Sequence, residues 1–261
     1  MVKVIVLTGF GINCEKETAH AFYKAGAEPL LIHLNDLLEN PTILDTSHIF
    51  SIPGGFSFGD DIASGRILAN RLKYRLESQI LKFIRDGKLI IGICNGFQVM
   101  VKMGILPLFD NKFEQNVTLS HNDSGRFEDR WVKLKINTKS PCVWTTNIDF
   151  IELPVRHGEG KFISKDSKIL NELHSKNQIV LQYARDRDTL ANGEYPLNPN
   201  GSVDDIAGIC DPSGRILGMM PHPEAFWDMT LHPQWNRKKL KGEGEGMKIF
   251  RNGIEYATKN L

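Results

Sequence analysis

The run Leu89-Ile90-Ile91-Gly92-Ile93 ends in Cys94, with Gly92 two residues before the cysteine and Gly96 two after it. No other stretch restricts the fold as much. A short, almost wholly apolar strand is one buried on both faces, which means a parallel sheet under helices. The Gly-x-Cys-x-Gly spacing is that of a sharp strand-to-helix elbow. Its glycines leave room for close backbone approach, and the nucleophile stands above the sheet. A helix starting at Asn95 aims its N-terminus at the sulfur, and the dipole there favours thiolate over thiol. A buried structural cysteine is the competing reading. The paired glycines and the preceding strand weigh against it.

The flanking pattern agrees. Residues 2–7, 30–33, 48–52 and 89–93 read as strands. Residues 14–25, 66–86 and 95–103 read as helices, the first with Asn13 as N-cap and Gly26 as stop. Strand–helix alternation puts the active crevice at the carboxyl ends of the strands, where Cys94 and the loop after Ile52 fall. Beyond residue 116 the pattern changes. Segments 117–119, 131–136 and 150–155 are β-like with no helix between them, and suggest an antiparallel section. Segments 179–183, 206–209 and 215–220 continue it, with turns at Asn200-Gly201 and Pro212-Ser213-Gly214. Residues 246–259 close the chain as a helix, and the glycine-charge segment 241–246 reads as a mobile loop. The expectation is an α/β fold, mostly parallel and flanked by helices, spanning 1–261 as a single domain.

Composition excludes several classes. The 32 basic and 31 acidic residues leave a net charge of +1, so no field for nucleic acid or an anionic membrane arises. No apolar run approaches a membrane span, and the N-terminus lacks the features of a signal peptide, which favours the cytoplasm. Four cysteines (Cys14, Cys94, Cys142 and Cys210) form no CxxC pair and no zinc spacing, so no metal is expected. Neither GxxxxGK[ST] nor GxGxxG occurs, which leaves no nucleotide cradle.

A cysteine nucleophile needs a base and a group to orient it. His222 and Glu224, in Met220-Pro221-His222-Pro223-Glu224, stand at i and i+2; in an extended segment both would face one site. His157 and Glu159, in Arg156-His157-Gly158-Glu159-Gly160, offer the same pair on a glycine loop. Residue chemistry alone leaves both open as the base. An oxyanion needs preorganised donors. The loop Pro53-Gly54-Gly55-Phe56-Ser57-Phe58-Gly59-Asp60 and the Asn95 N–H are the candidates. Cys14, without flanking glycines, ranks as a structural or secondary residue. Asp60, Asp61 and Arg66 read as ordinary loop solvation.

Taken together, Gly92-Ile93-Cys94-Asn95-Gly96-Phe97-Gln98 and the distal His222-Pro223-Glu224 resemble the class I (triad) glutamine amidotransferases. The loop 53–60, His157-Gly158-Glu159-Gly160, Asn200-Gly201-Ser202 and Asp205-Ile206-Ala207-Gly208 narrow the resemblance to the glutaminase subunits of phosphoribosylformylglycinamidine synthase, an enzyme of purine biosynthesis. The resemblance implies a flavodoxin-like sheet with Cys94 as nucleophile, His222 as general base and acid, and Glu224 orienting His222. It assigns oxyanion and substrate contacts to Gly54, Gly55, Phe56, Asn95 and Gln98. It implies glutamine as substrate and no cofactor in this chain. ATP and Mg²⁺ would belong to a large synthetase subunit that takes the ammonia, and a small third subunit would bridge the two. Two departures concern the synthetase interface: Ala225 follows the His-Pro-Glu motif where many members have Arg, and 226–246 is longer than in short members. The alternatives are a cysteine hydrolase or peptidase of similar fold with His157 as base, and a partner-binding subunit whose site has degenerated.

Overall fold

The computed structural model describes residues 1–109 and 112–261. Its first four strands are β1 (Lys3–Thr8), β2 (Glu28–His33), β3 (Ile49–Ile52) and β4 (Leu89–Ile93). The apolar runs form buried strands: every residue of β3 and β4 is buried. Helices α1 (Glu15–Lys24), α2 (Leu34–Glu39), α3 (Arg66–Arg85) and α4 (Asn95–Met103) connect or follow them. Helix α3 buries Leu68, Leu72, Leu76, Ile80 and Phe83, the 3.6-residue stripe that made it readable.

The second half supplies β5 (Val117–Ser120), β6 (Glu128–Ile136), β7 (Phe150–His157), β8 (Lys161–Ser164), β9 (Ile179–Ala184), β10 (Ile206–Cys210) and β11 (Ile216–Met219). Helices α5 (Ser167–Ser175) and α6 (Met247–Asn260) complete the chain. A nine-stranded sheet runs β2-β1-β3-β4-β11-β10-β9-β6-β7. It is parallel from β2 to β11 and antiparallel from β11 to β7. Strands β5 and β8 form a separate antiparallel pair.

The order 2-1-3-4 reverses direction between β1 and β3. Ligands of open α/β sheets bind at such a switch point, outside the carboxyl ends of the strands. The loops leaving β1 and β3 meet there: Ile12 bridges Gly55, and the Phe56 N–H donates to the Gly11 carbonyl at 2.8 Å.

Three expectations change. Asn13 is not the cap of α1. Cys14 takes that position without a side-chain cap bond, because the N–H groups of both residues are drawn to the Gly54 carbonyl (3.3 and 3.2 Å). Segment 241–246 is packed down rather than loose. Glu243 bridges Asp228, Glu245 accepts from the Glu152 N–H, and Cβ atoms at Gly244 and Gly246 would strike the backbone of Phe226 and Pro223. Helix α5 is an addition to the expected elements, capped by Asp166, which accepts from the Ile169 N–H at 2.9 Å.

Candidate active site

Cys94 ends β4 at φ 52° and ψ −105°, a strained conformation for a residue with a Cβ. Its N–H is fixed by the Met219 carbonyl at 2.8 Å. Both elbow glycines are sterically required. A Cβ on Gly92 would lie 2.2 Å from Met100 Sδ, and one on Gly96 1.8 Å from the Ile52 carbonyl oxygen.

Strand β11 pairs beside β4 with Met219 opposite Ile93, so the chain leaving β11 passes the nucleophile. The His222 N–H is anchored on the Pro154 carbonyl at 2.8 Å. His222 Nδ1 and Glu224 Oε1 are 2.6 Å apart, with side chains 2% and 1% exposed. They meet through a tight turn at Pro223–Ala225 rather than along an extended segment. Burial pulls the imidazole pKa down. The Glu224 carboxylate, the neighbouring Cys94 and contacts with both thiols outweigh that burial and raise it well above the ordinary value. Gly54 makes the convergence possible: its missing Cβ would sit 2.8 Å from His222 Cε1, 3.2 Å from Cys14 Sγ and 3.5 Å from Cys94 Cβ.

His157 is built differently. It is buried, Nδ1 lies 3.0 Å from Asn122 Oδ1, and no carboxylate pairs with it. Burial, and then the charge of His222, push its pKa down to about 3, so it stays neutral. Of the two imidazoles, the structure gives only His222 a carboxylate partner. Glu159 instead accepts from the Ser64 N–H at 3.2 Å.

Among the oxyanion candidates, Asn95 opens α4, where a helix leaves its first N–H groups without internal partners. Gly55 lies at φ 145°, and a Cβ there would come within 2.7 Å of Asn13 N and Gly11 O. The Phe56 N–H is already taken by Gly11, so that residue offers its half-exposed ring instead. The Asn95 side chain accepts from the Ser57 N–H and donates to Gln98 Oε1 at 2.9 Å. Gln98 Nε2 donates to the Glu159 carbonyl at 2.6 Å. The Gln98 amide therefore retains one N–H and one lone pair for a substrate.

Two residues gain importance. Cys14 lies beside His222, and burial raises its thiol pKa, which keeps it protonated. Asp60 is not a solvated loop residue: Asn95 Nδ2 donates to it at 3.3 Å, and burial raises its carboxyl pKa. Donor atoms of Cys14, His222 and Glu224 lie within 4.8 Å of one another, the one grouping among the described residues with metal-like spacing. The short Nδ1–Oε1 contact already accounts for one of the two imidazole nitrogens.

Two cavities meet at Cys94. One, of about 250 Å³, is lined by Asn13, Cys14, Glu17 and His222. The other, of about 230 Å³, is lined by Asp60, Ser64, Gln98, His121, His157 and Glu159. Both share Gly55, Phe56, Cys94, Phe127 and Arg156. A larger hollow of about 510 Å³, lined by residues between 137 and 149, contains no imidazole.

An elbow cysteine beside a buried His–Glu pair, on a sheet of this order, defines a triad amidotransferase or a hydrolase built like one. Comparison with known proteins decides the class: the profile of the CobB/CobQ-like glutamine amidotransferase domain matches residues 1–257. Phosphoribosylformylglycinamidine synthase subunit PurQ of Dehalococcoides mccartyi is 48% identical, with 98% of each chain covered. PurQ of Methanococcus maripaludis is 45% identical over 98% of both chains. A chain in the structure of PurLQS from Thermotoga maritima superposes with a TM-score of 0.71 at 30% identity, covering 98% of each chain. A Thermotoga maritima glutamine amidotransferase at 14% identity and TM-score 0.57, covering 99% of each chain, shares the fold. The chain belongs to the PurQ family of glutamine amidotransferases.

Proposed function

We propose that this chain is the glutaminase subunit of a phosphoribosylformylglycinamidine synthase and supplies ammonia for purine biosynthesis. The single observation that carries the chemistry is the buried 2.6 Å contact between His222 Nδ1 and Glu224 Oε1 beside the elbow cysteine. His222 takes the proton of Cys94, and the Sγ thiolate attacks the side-chain amide carbon of glutamine. The carbonyl oxygen becomes an oxyanion, which the N–H groups of Asn95 and Gly55 receive. His222, protonated and oriented by Glu224, gives its proton to the departing nitrogen. Ammonia leaves and a thioester remains. Water then loses a proton to His222, attacks the thioester and releases glutamate, and the sulfur is restored.

The ammonia goes to a synthetase subunit of PurL type, a reading supported by the Thermotoga maritima PurLQS complex. We assign the bridging role to a small PurS-type subunit. ATP and Mg²⁺ act on the synthetase, since no step above uses either. Among the described residues no helix is long and apolar enough to cross a membrane.

In the assembled complex, Cys94→Ser should abolish glutamine-dependent synthesis while synthesis from free ammonia persists. Loss of both, with assembly intact, would contradict the assignment. A thiol-reactive glutamine analogue should label Cys94; absence of labelling in the complex would point to a degenerate site.

A further inference from the structure

The reaction uses Cys94, His222 and Glu224 and leaves a second thiol beside them without a task. Cys14 stands at the start of α1, 8% exposed, where its N–H and that of Asn13 are fixed by the Gly54 carbonyl. Its sulfur lies 3.2 Å from the place a Gly54 Cβ would occupy, a point also 2.8 Å from His222 Cε1 and 3.5 Å from Cys94 Cβ. Three segments of chain thus deliver two thiols and an imidazole to one small space. It opens on the cavity of about 250 Å³ that all three residues line. Glu224 engages one ring nitrogen, Nδ1, at 2.6 Å. The other, Nε2, is buried and has no hydrogen-bond partner among the described residues. Neither thiol supplies one: Cys14 Sγ donates to Asn13 Oδ1 at 3.3 Å, and Cys94 Sγ donates to the Arg156 carbonyl at 3.5 Å. Donor atoms of Cys14, His222 and Glu224 lie within 4.8 Å of one another.

We propose that Cys14 Sγ, Cys94 Sγ and His222 Nε2 form a binding site for a thiophilic divalent cation, Zn²⁺ above all, and that the bound ion holds the glutaminase inactive. Thiolates and imidazole are the ligands Zn²⁺ prefers, and three of them leave a fourth tetrahedral position open toward the cavity. Glu224 supplies what a zinc-binding histidine needs at its other nitrogen, a carboxylate that fixes the ring and raises its basicity. A hard ion such as Mg²⁺ prefers oxygen ligands and is selected against. Binding releases the protons of both thiols and of Nε2 to solvent. The electron pair of Cys94 Sγ then goes to the metal instead of the amide carbon. Cys14, Cys94 and His222 lie far apart in the chain, so no spacing in the sequence announces the site. The coordination needs only this geometry, whereas its inhibitory effect rests on the glutaminase reading.

The test adds Co²⁺, a spectroscopic stand-in for Zn²⁺, to the full-length chain. Thiolate ligation gives a charge-transfer band in the near ultraviolet, which Zn²⁺ should displace. Cys14→Ser and Cys94→Ser should each remove about half of the band, and the double variant all of it. Cys142→Ser, in the wall of the hollow that contains no imidazole, should leave it intact. Glu224→Gln should weaken Co²⁺ binding by about 10–100-fold. In the assembled complex, glutamate release from glutamine is then followed against free Zn²⁺ set by a chelator buffer. Cys14→Ala should raise the half-inhibiting Zn²⁺ concentration by at least about 10-fold, a ratio independent of the variant's own rate. A band that survives Cys14→Ser at full strength, or that is lost with Cys142→Ser instead, overturns the proposal. So does a half-inhibiting concentration unchanged in Cys14→Ala. A band that needs both Cys14 and Cys94, in a complex that releases no glutamate, keeps the coordination and sinks the glutaminase reading.

Discussion

At the residue scale, two histidines with the same local pattern were given opposite environments. His222 has a carboxylate at 2.6 Å, whereas His157 has an amide. The consequences for pH run in opposite directions. The pKa of His222 is raised on folding, so its stabilisation is complete below its unfolded value of about 6.5 and is lost as pH rises through the folded value. That of His157 is lowered to about 3, so the unfolded chain binds the extra proton. Its contribution is complete above about pH 6.5 and is lost as pH falls toward 3. His157→Gln should therefore flatten the acid limb of a stability-versus-pH curve, read from urea midpoints between those limits; an unchanged slope would count against a buried neutral imidazole. Glu224→Gln should lower the pKa of His222 and reduce kcat/KM for glutamine by about 100-fold or more, since an oriented imidazolium is lost. A pH–rate profile that keeps its upper limb would contradict the pairing. Gly55→Ala places a Cβ 2.7 Å from two backbone atoms and tilts the proposed oxyanion donor, so turnover should fall by roughly 10²–10³-fold with assembly retained.

At the scale of elements, the elbow depends on close packing of β3, β4 and α4. A Cβ on Gly96 would meet the carbonyl oxygen of Ile52 in β3, which cannot swing aside as a side chain can. Gly96→Ala should cost about 3 kcal/mol or more of stability through forced separation of α4 from the sheet. A urea midpoint equal to that of wild type would show that the elbow tolerates displacement. The strands and helices around it were legible because each carries its own periodicity. Strand β4 and helix α4 match their sequence limits. Helix α2, six residues long, carries too little pattern to be seen.

At the scale of the molecule, the site is assembled from chain segments far apart in sequence, meeting at the switch point of the sheet. Cavities at Cys94 open beside exposed aromatic rings of Phe56 and Phe127, and a partner seated there would close them. We expect the isolated chain to hydrolyse glutamine slowly and the synthetase partner to raise its kcat/KM on the order of 10–100-fold, the range of typical coupling between sites. Equal rates for free chain and complex would mean that the site is complete without the partner.

The sequence by itself determined the elbow, the alternation of strands with helices, and the identities of nucleophile, candidate bases and glycine loop. Each is a local signal: a period, a spacing or a residue too small to replace. Only the tertiary structure decided which imidazole has the carboxylate partner, that Cys14 and Asp60 belong to the site, and that segment 241–246 is fastened down. Those are through-space facts. They depend on strand order, which places Met219 beside Ile93 and the Gly54 backbone between Cys94 and His222, and no local pattern of residues encodes that order.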